Sequence, residues 1–170
     1  MYTLLLILAV VLAALHLLIG KAPRTALRIT ELFLVYLLVF SCGIGGLYAF
    51  MGHVFASDAV AQSIGWPVGS PFQLEVGATN LAFGVLGILC IFFRGLFPLA
   101  TTIGYSIFLL GAACVHLHDI HVRGNLAEFN SGAFLYIQDF FVPLFLLGLA
   151  IIYSLEFLKT QRAPSPPSAT

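Results

Sequence analysis

Apolar and polar positions fall in blocks along this chain rather than alternating residue by residue. Five mostly apolar stretches, about Tyr2–Gly20, Thr30–Met51, Gln73–Phe93, Leu99–Val115 and Ala133–Leu158, are separated by short polar connections. About 20 apolar residues cross a hydrocarbon core about 30 Å thick. In lipid every backbone amide must be bonded within its own segment, so each stretch is expected to be a helix. The alternating ten-residue strands of an outer-membrane barrel are absent. The pattern predicts an all-α, polytopic integral membrane bundle of five transmembrane helices over residues 1–160. The low-complexity tail, 161–170, is expected to be a disordered cytoplasmic end.

Composition agrees with that class. Of 170 residues 61% are apolar and 8% charged, against about a quarter charged in soluble domains, and the mean hydropathy is +1.06. A cytosolic enzyme, a disordered chain and a nucleic-acid binder, which needs a basic stripe, are excluded. The lipid bilayer is the one partner that composition names.

The few charges order the bundle. Lys21, Arg24 and Arg28 follow the first stretch, Arg94 the third, and Lys159 and Arg162 the fifth. Arg123 alone sits on the other side. Basic residues mark the cytoplasmic side, so the expected orientation is N-terminus out and C-terminus in, as in a bacterial inner membrane. The first stretch has no basic residues ahead of it and reads as a retained helix rather than a signal peptide. Cys42, Cys90 and Cys114 all fall within the expected spans and read as small buried apolar residues, not a disulfide framework.

Local signals refine the elements. Ser70-Pro71-Phe72-Gln73 has the form of a capping box opening the third span. Ser57–Ile64 reads as a short interfacial helix, and Trp66-Pro67 suits the outer interface. Gly77, Asn80, Gly84 and Gly87 form one small-residue stripe, and Gly104, Gly111, Cys114 and His118 a second. Such faces let helices approach closely, within a homo-oligomer or against a membrane partner as well as within the chain. Ser41–Gly46 is the place to expect a kink. Glu31 reads as a first-turn carboxylate paired with Arg28, Glu156 as a partner of Lys159, Glu128 as a loop residue, and His16 as a hydrogen-bonded core histidine.

The remaining polar residues converge towards the outer side. Asp139 lies roughly 9–12 Å into the fifth span, and Glu75 about one turn into the third. A charge at such depth almost always faces a cavity or a partner. At the outer end of the fourth span His118 and His121 share one face with Cys114, while His116 and Asp119 share another. Imidazoles with carboxylates from neighbouring helices suit a divalent transition metal such as zinc, copper or iron. The candidate site is therefore Glu75, His116, His118, His121 and Asp139. There is no HExxH, GxSxG, CxxC or Gly-rich phosphate loop, so neither a reaction nor an activated nucleophile is specified.

Gly65-Trp-Pro-Val-Gly-Ser-Pro-Phe-Gln-Leu-Glu-Val-Gly77, then Asn80-Leu-Ala-Phe-Gly84, resembles a signature of small bacterial multi-spanning membrane proteins of uncharacterised function. His118 or His121, Asn130-Ser-Gly132 and Asp139 resemble the same group. The resemblance implies a multi-helix membrane fold and no activity. Three functions stay open: a binding or catalytic protein with an outward polar or metal site, a proton-coupled or small-solute carrier acting as an oligomer, and a scaffold or accessory subunit of a membrane complex.

Overall fold

The computed structural model describes residues 1–162: of the tail expected to be disordered at 161–170, Gln161 and Arg162 end the last helix instead, and 163–170 lies outside the described residues. Six helical elements follow in order: α1 Tyr2–Ile19, α2 Ala26–Phe55, α3 Ser57–Ile64, α4 Phe72–Leu89, α5 Phe97–Arg123 and α6 Glu128–Arg162. All but α3 are long and apolar enough to cross a membrane. No strand occurs among the described residues.

α2 is the organising helix: it packs on α1, α4 and α6, while α5 packs on α6. The core runs through Leu34, Leu38, Cys42, Tyr105, Leu146 and Tyr153. The α2–α4 seam follows the expected stripe. A Cβ on Gly77 would lie 2.6 Å from Val54, one on Gly84 2.9 Å from Leu47, and one on Gly87 2.4 Å from the backbone of Gly43. The second stripe behaves differently. Gly104 meets Phe83, but a Cβ on Gly111 would meet nothing within 4 Å, and Cys114 and His118 are exposed. α5 instead turns Thr102, Tyr105, Leu109, Ala113, His116 and Asp119 inward, a ladder of three- and four-residue steps that holds one helix face.

Two helices are wound more widely than an α-helix. Leu38–Ile44 in α2 is π-helical and overlaps Ser41–Gly46, where a kink is expected, over residues 41–44. Leu135–Phe141 in α6 is π-helical too, and it carries Gln138 and Asp139. Gln138 Nε2 donates to Tyr105 Oη at 3.1 Å and to Ser41 Oγ at 3.5 Å, and Tyr105 Oη donates to the Ser41 carbonyl at 3.4 Å. The two widened turns are thereby linked through α5. Isolated π turns recur at functional sites because they redirect side chains that a regular helix would place elsewhere.

Several local expectations change. α2 begins at Ala26, with Thr25 Oγ1 accepting from the Arg28 N–H at 3.2 Å. Glu31 therefore lies beyond the first turn and faces Arg94 at 3.9 Å, not Arg28. Ser70 Oγ accepts from the Phe72 N–H at 3.3 Å, but the Gln73 amide turns to His53, so the reciprocal half of the capping box does not form. His16 bonds Tyr36 Oη at 3.1 Å but is exposed rather than in the core. Cys42 and Cys90 are buried and Cys114 is exposed. α3 occupies Ser57–Ile64 as expected, and Glu156 pairs with Lys159.

Candidate functional site

α4 and α5 are consecutive in sequence yet pack far less closely than α2 and α4 or α5 and α6. Between these pairs lies a partly open cavity of about 860 Å³ at the end of the bundle that carries α3. This is the size at which pockets hold a small organic molecule, about 300–1,000 Å³. Its walls are mainly apolar, with Tyr48, Met51, Phe72, Phe108 and Phe134 among them. Polar side chains interrupt them, among them His53, Glu75, Asn80, His116, Gln138 and Asp139.

Asp139 sits on the widened turn of α6, only 3% exposed, and its Oδ2 has no hydrogen-bond partner among the described residues. The Oε1 of neighbouring Gln138 is likewise unpartnered. Buried polar atoms are nearly always bonded, so two adjacent orphan acceptors at a cavity wall are exceptional. Glu75, by contrast, is exposed near the start of α4.

The two histidines are fixed by amides. His53 Nδ1 lies 2.6 Å from Gln73 Oε1, and His116 Nδ1 lies 2.8 Å from Asn130 Oδ1. An amide oxygen only accepts, so in each ring Nδ1 carries the hydrogen and Nε2 is left for another partner. The His116 ring also stacks on Trp66, with centroids 5.4 Å apart and planes at 21°.

A second polar cluster closes this end. Asp119 is 1% exposed and receives hydrogen bonds from Trp66 Nε1 at 2.9 Å, Asn125 Nδ2 at 2.7 Å and the Arg123 guanidinium. Asn125 also donates to the Ile64 carbonyl at 2.8 Å, tying α3 to the α5–α6 turn. Gly65, at φ +78°, makes room for this: a Cβ there would lie 2.5 Å from Asn125 Oδ1. Asp119 is thus a saturated structural carboxylate and Asp139 an unsatisfied one.

The structure sorts the five candidate residues. Glu75, His116 and Asp139 line the cavity. His118 and His121 are exposed and do not line it, because α5 buries the His116–Asp119 face rather than the His118–His121 face. Among the described residues no three His, Cys, Asp or Glu side chains form a group that could hold a metal ion. His53 belongs with the histidines that the sequence places near the outer side but lies outside the five candidate residues, and neither Gln138 nor the role of Asp119 is marked there. For Asp119 a signal existed: it continues the Tyr105–Leu109–Ala113–His116 ladder. Gln138 has no spacing that marks it, and His53 has a position near the outer side but no ligand spacing.

Fold and cavity together define an all-helical, five-span bundle with an amphipathic cavity confined to one end. The chain belongs to the Family of unknown function (DUF6790), whose model matches residues 1–156, in agreement with its resemblance to a group of uncharacterised function. No curated protein and no solved structure matches it.

Proposed function

We propose that the chain is a membrane-embedded binding protein that takes a small amphipathic organic molecule into its cavity from the side expected to face outward. The observation that supports this best is the cavity itself: about 860 Å³, apolar walls, and unpartnered acceptors on Gln138 and Asp139. Apolar pockets with a few convergent polar groups are the usual form of small-molecule sites. A shared metal site of Glu75, His116, His118, His121 and Asp139 is not the preferred reading, since two of its histidines point away from the other three residues' cavity. A carrier would use the same cavity and adds a step for which no second conformation argues.

The test is photolabelling in phosphatidylcholine nanodiscs with a photoreactive long-chain alcohol. Adducts are expected at cavity residues such as Met51 and Phe108 and to be lost in Gly111→Trp, where the new side chain enters the cavity without a backbone clash. Adducts spread evenly over lipid-facing residues, and unchanged by Gly111→Trp, would reject the reading.

A further inference from the structure

We infer that the cavity selects an organic cation: a protonated amine carried on an apolar body, with Asp139 as its counter-ion. The inference rests on the binding reading above and adds the chemical class of the ligand.

Charge balance carries it. Two carboxylates, Glu75 and Asp139, line the cavity, and no Lys or Arg does. Of the seven basic residues, Lys21, Arg24, Arg28, Arg94, Lys159 and Arg162 belong to the opposite end of the bundle, and Arg123 is bound to Asp119. The two cavity histidines are engaged through Nδ1 with Gln73 and Asn130, and neither is bonded to Asp139. The chain therefore supplies no partner for a carboxylate that is 3% exposed, although a carboxylate in low dielectric needs one.

The orphan atoms specify hydrogen-bonding character as well as charge. Asp139 Oδ2 and Gln138 Oε1 are both acceptors, so the missing group is a donor. An ammonium offers donors and a positive charge, which matches a cavity-lining carboxylate that receives no hydrogen bond at Oδ2 from the described residues. Tyr2, Tyr48 and Phe134, all lining the cavity, meet edge to face at 6.0 and 5.2 Å. Aromatic faces attract cations and accommodate the apolar body. The volume suits one drug-sized molecule or single chain. A bare metal ion would leave the aromatic walls without a role.

A matched pair of photoreactive probes, a primary amine and an alcohol on the same alkyl chain, tests this in phosphatidylcholine nanodiscs. Cavity adducts are normalised to those at lipid-facing Ile151 to remove differences in partitioning. The amine is expected to label the cavity at about one tenth of the mole fraction the alcohol needs, as a charge-assisted hydrogen bond implies. Asp139→Asn should abolish the advantage of the amine over the alcohol. Competition by unlabelled alkylamine supports a free amine, and competition by added phosphatidylethanolamine supports an aminolipid headgroup as the source. Equal labelling by both probes in the unaltered protein overturns cation selection while leaving the binding reading intact. An amine preference that survives Asp139→Asn removes Asp139 as counter-ion, and absence of cavity adducts from both probes rejects the two readings together.

Discussion

Asp119 and Asp139 are equally buried carboxylates in opposite circumstances, and the difference is measurable as stability. Asp119 accepts from Trp66, Asn125 and Arg123; removing it takes an acceptor from the half-buried Trp66 indole and leaves Asn125 with the Ile64 carbonyl alone for its side-chain N–H donors. Asp119→Ala is expected to cost about 3 kcal/mol, read as a lower thermal midpoint in detergent, since each stranded donor costs about 1–3 kcal/mol. Asp139→Asn breaks no bond among the described residues and is expected to change stability by less than about 1 kcal/mol. If Asp139→Asn proved the more destabilising of the two, Asp139 would be a structural residue and not a site. The prominence of Asp139 was legible in the sequence, because a carboxylate inside an apolar run is costly wherever it points. Which histidine faces inward was not: His116 and His118 differ only by rotation about α5, and that rotation is set by Asp119, Trp66 and Asn125 locking together across three segments.

At the scale of helices, small residues separate into those that make contact and those that border empty space. The α4 stripe was legible because Gly77, Gly84 and Gly87 recur at helical spacing and α2 offers Gly43 and Gly46 opposite them. The α5 stripe also keeps to one helix face, yet Gly111 borders the cavity, since spacing reveals a face but not what stands against it. Gly87→Ala would place a methyl 2.4 Å from the Gly43 backbone nitrogen. Neither backbone can yield without separating the helices, so a loss of about 1–3 kcal/mol is expected. Gly111→Ala meets nothing and should be neutral or stabilising by up to about 1 kcal/mol, the ordinary gain of replacing a helical glycine. Paired thermal-unfolding midpoints decide this, and equal losses at both positions would contradict the packing described. The widened turns of α2 and α6 were legible only in part: Ser41–Gly46 is glycine-rich and signalled weakness, whereas Leu135–Phe141 holds no glycine or proline and is shaped by the Gln138–Tyr105–Ser41 linkage.

For the whole molecule, the number of spans follows from run length alone, because five apolar blocks of membrane-crossing length admit few other arrangements. The cavity does not follow, since it is a gap created by how α4 and α5 diverge after each has packed on another partner. Its position nevertheless coincides with the charge asymmetry: the cavity occupies the end with Arg123 alone, and six basic residues occupy the other. Lys and Arg are retained on the cytoplasmic side during insertion, so the cavity should open outward and its ligand should arrive from outside or from the outer leaflet. Single reporter cysteines test this in bacterial cells producing a Cys114→Ser background, which removes the exposed native thiol. Val68→Cys lies in the exposed connection before α4, and Gln161→Cys at the exposed end of α6. A membrane-impermeant maleimide is expected to modify the first in intact cells and the second only after permeabilisation. The reverse order would place the cavity on the cytoplasmic side, and a ligand from the cell interior would then be the one to seek.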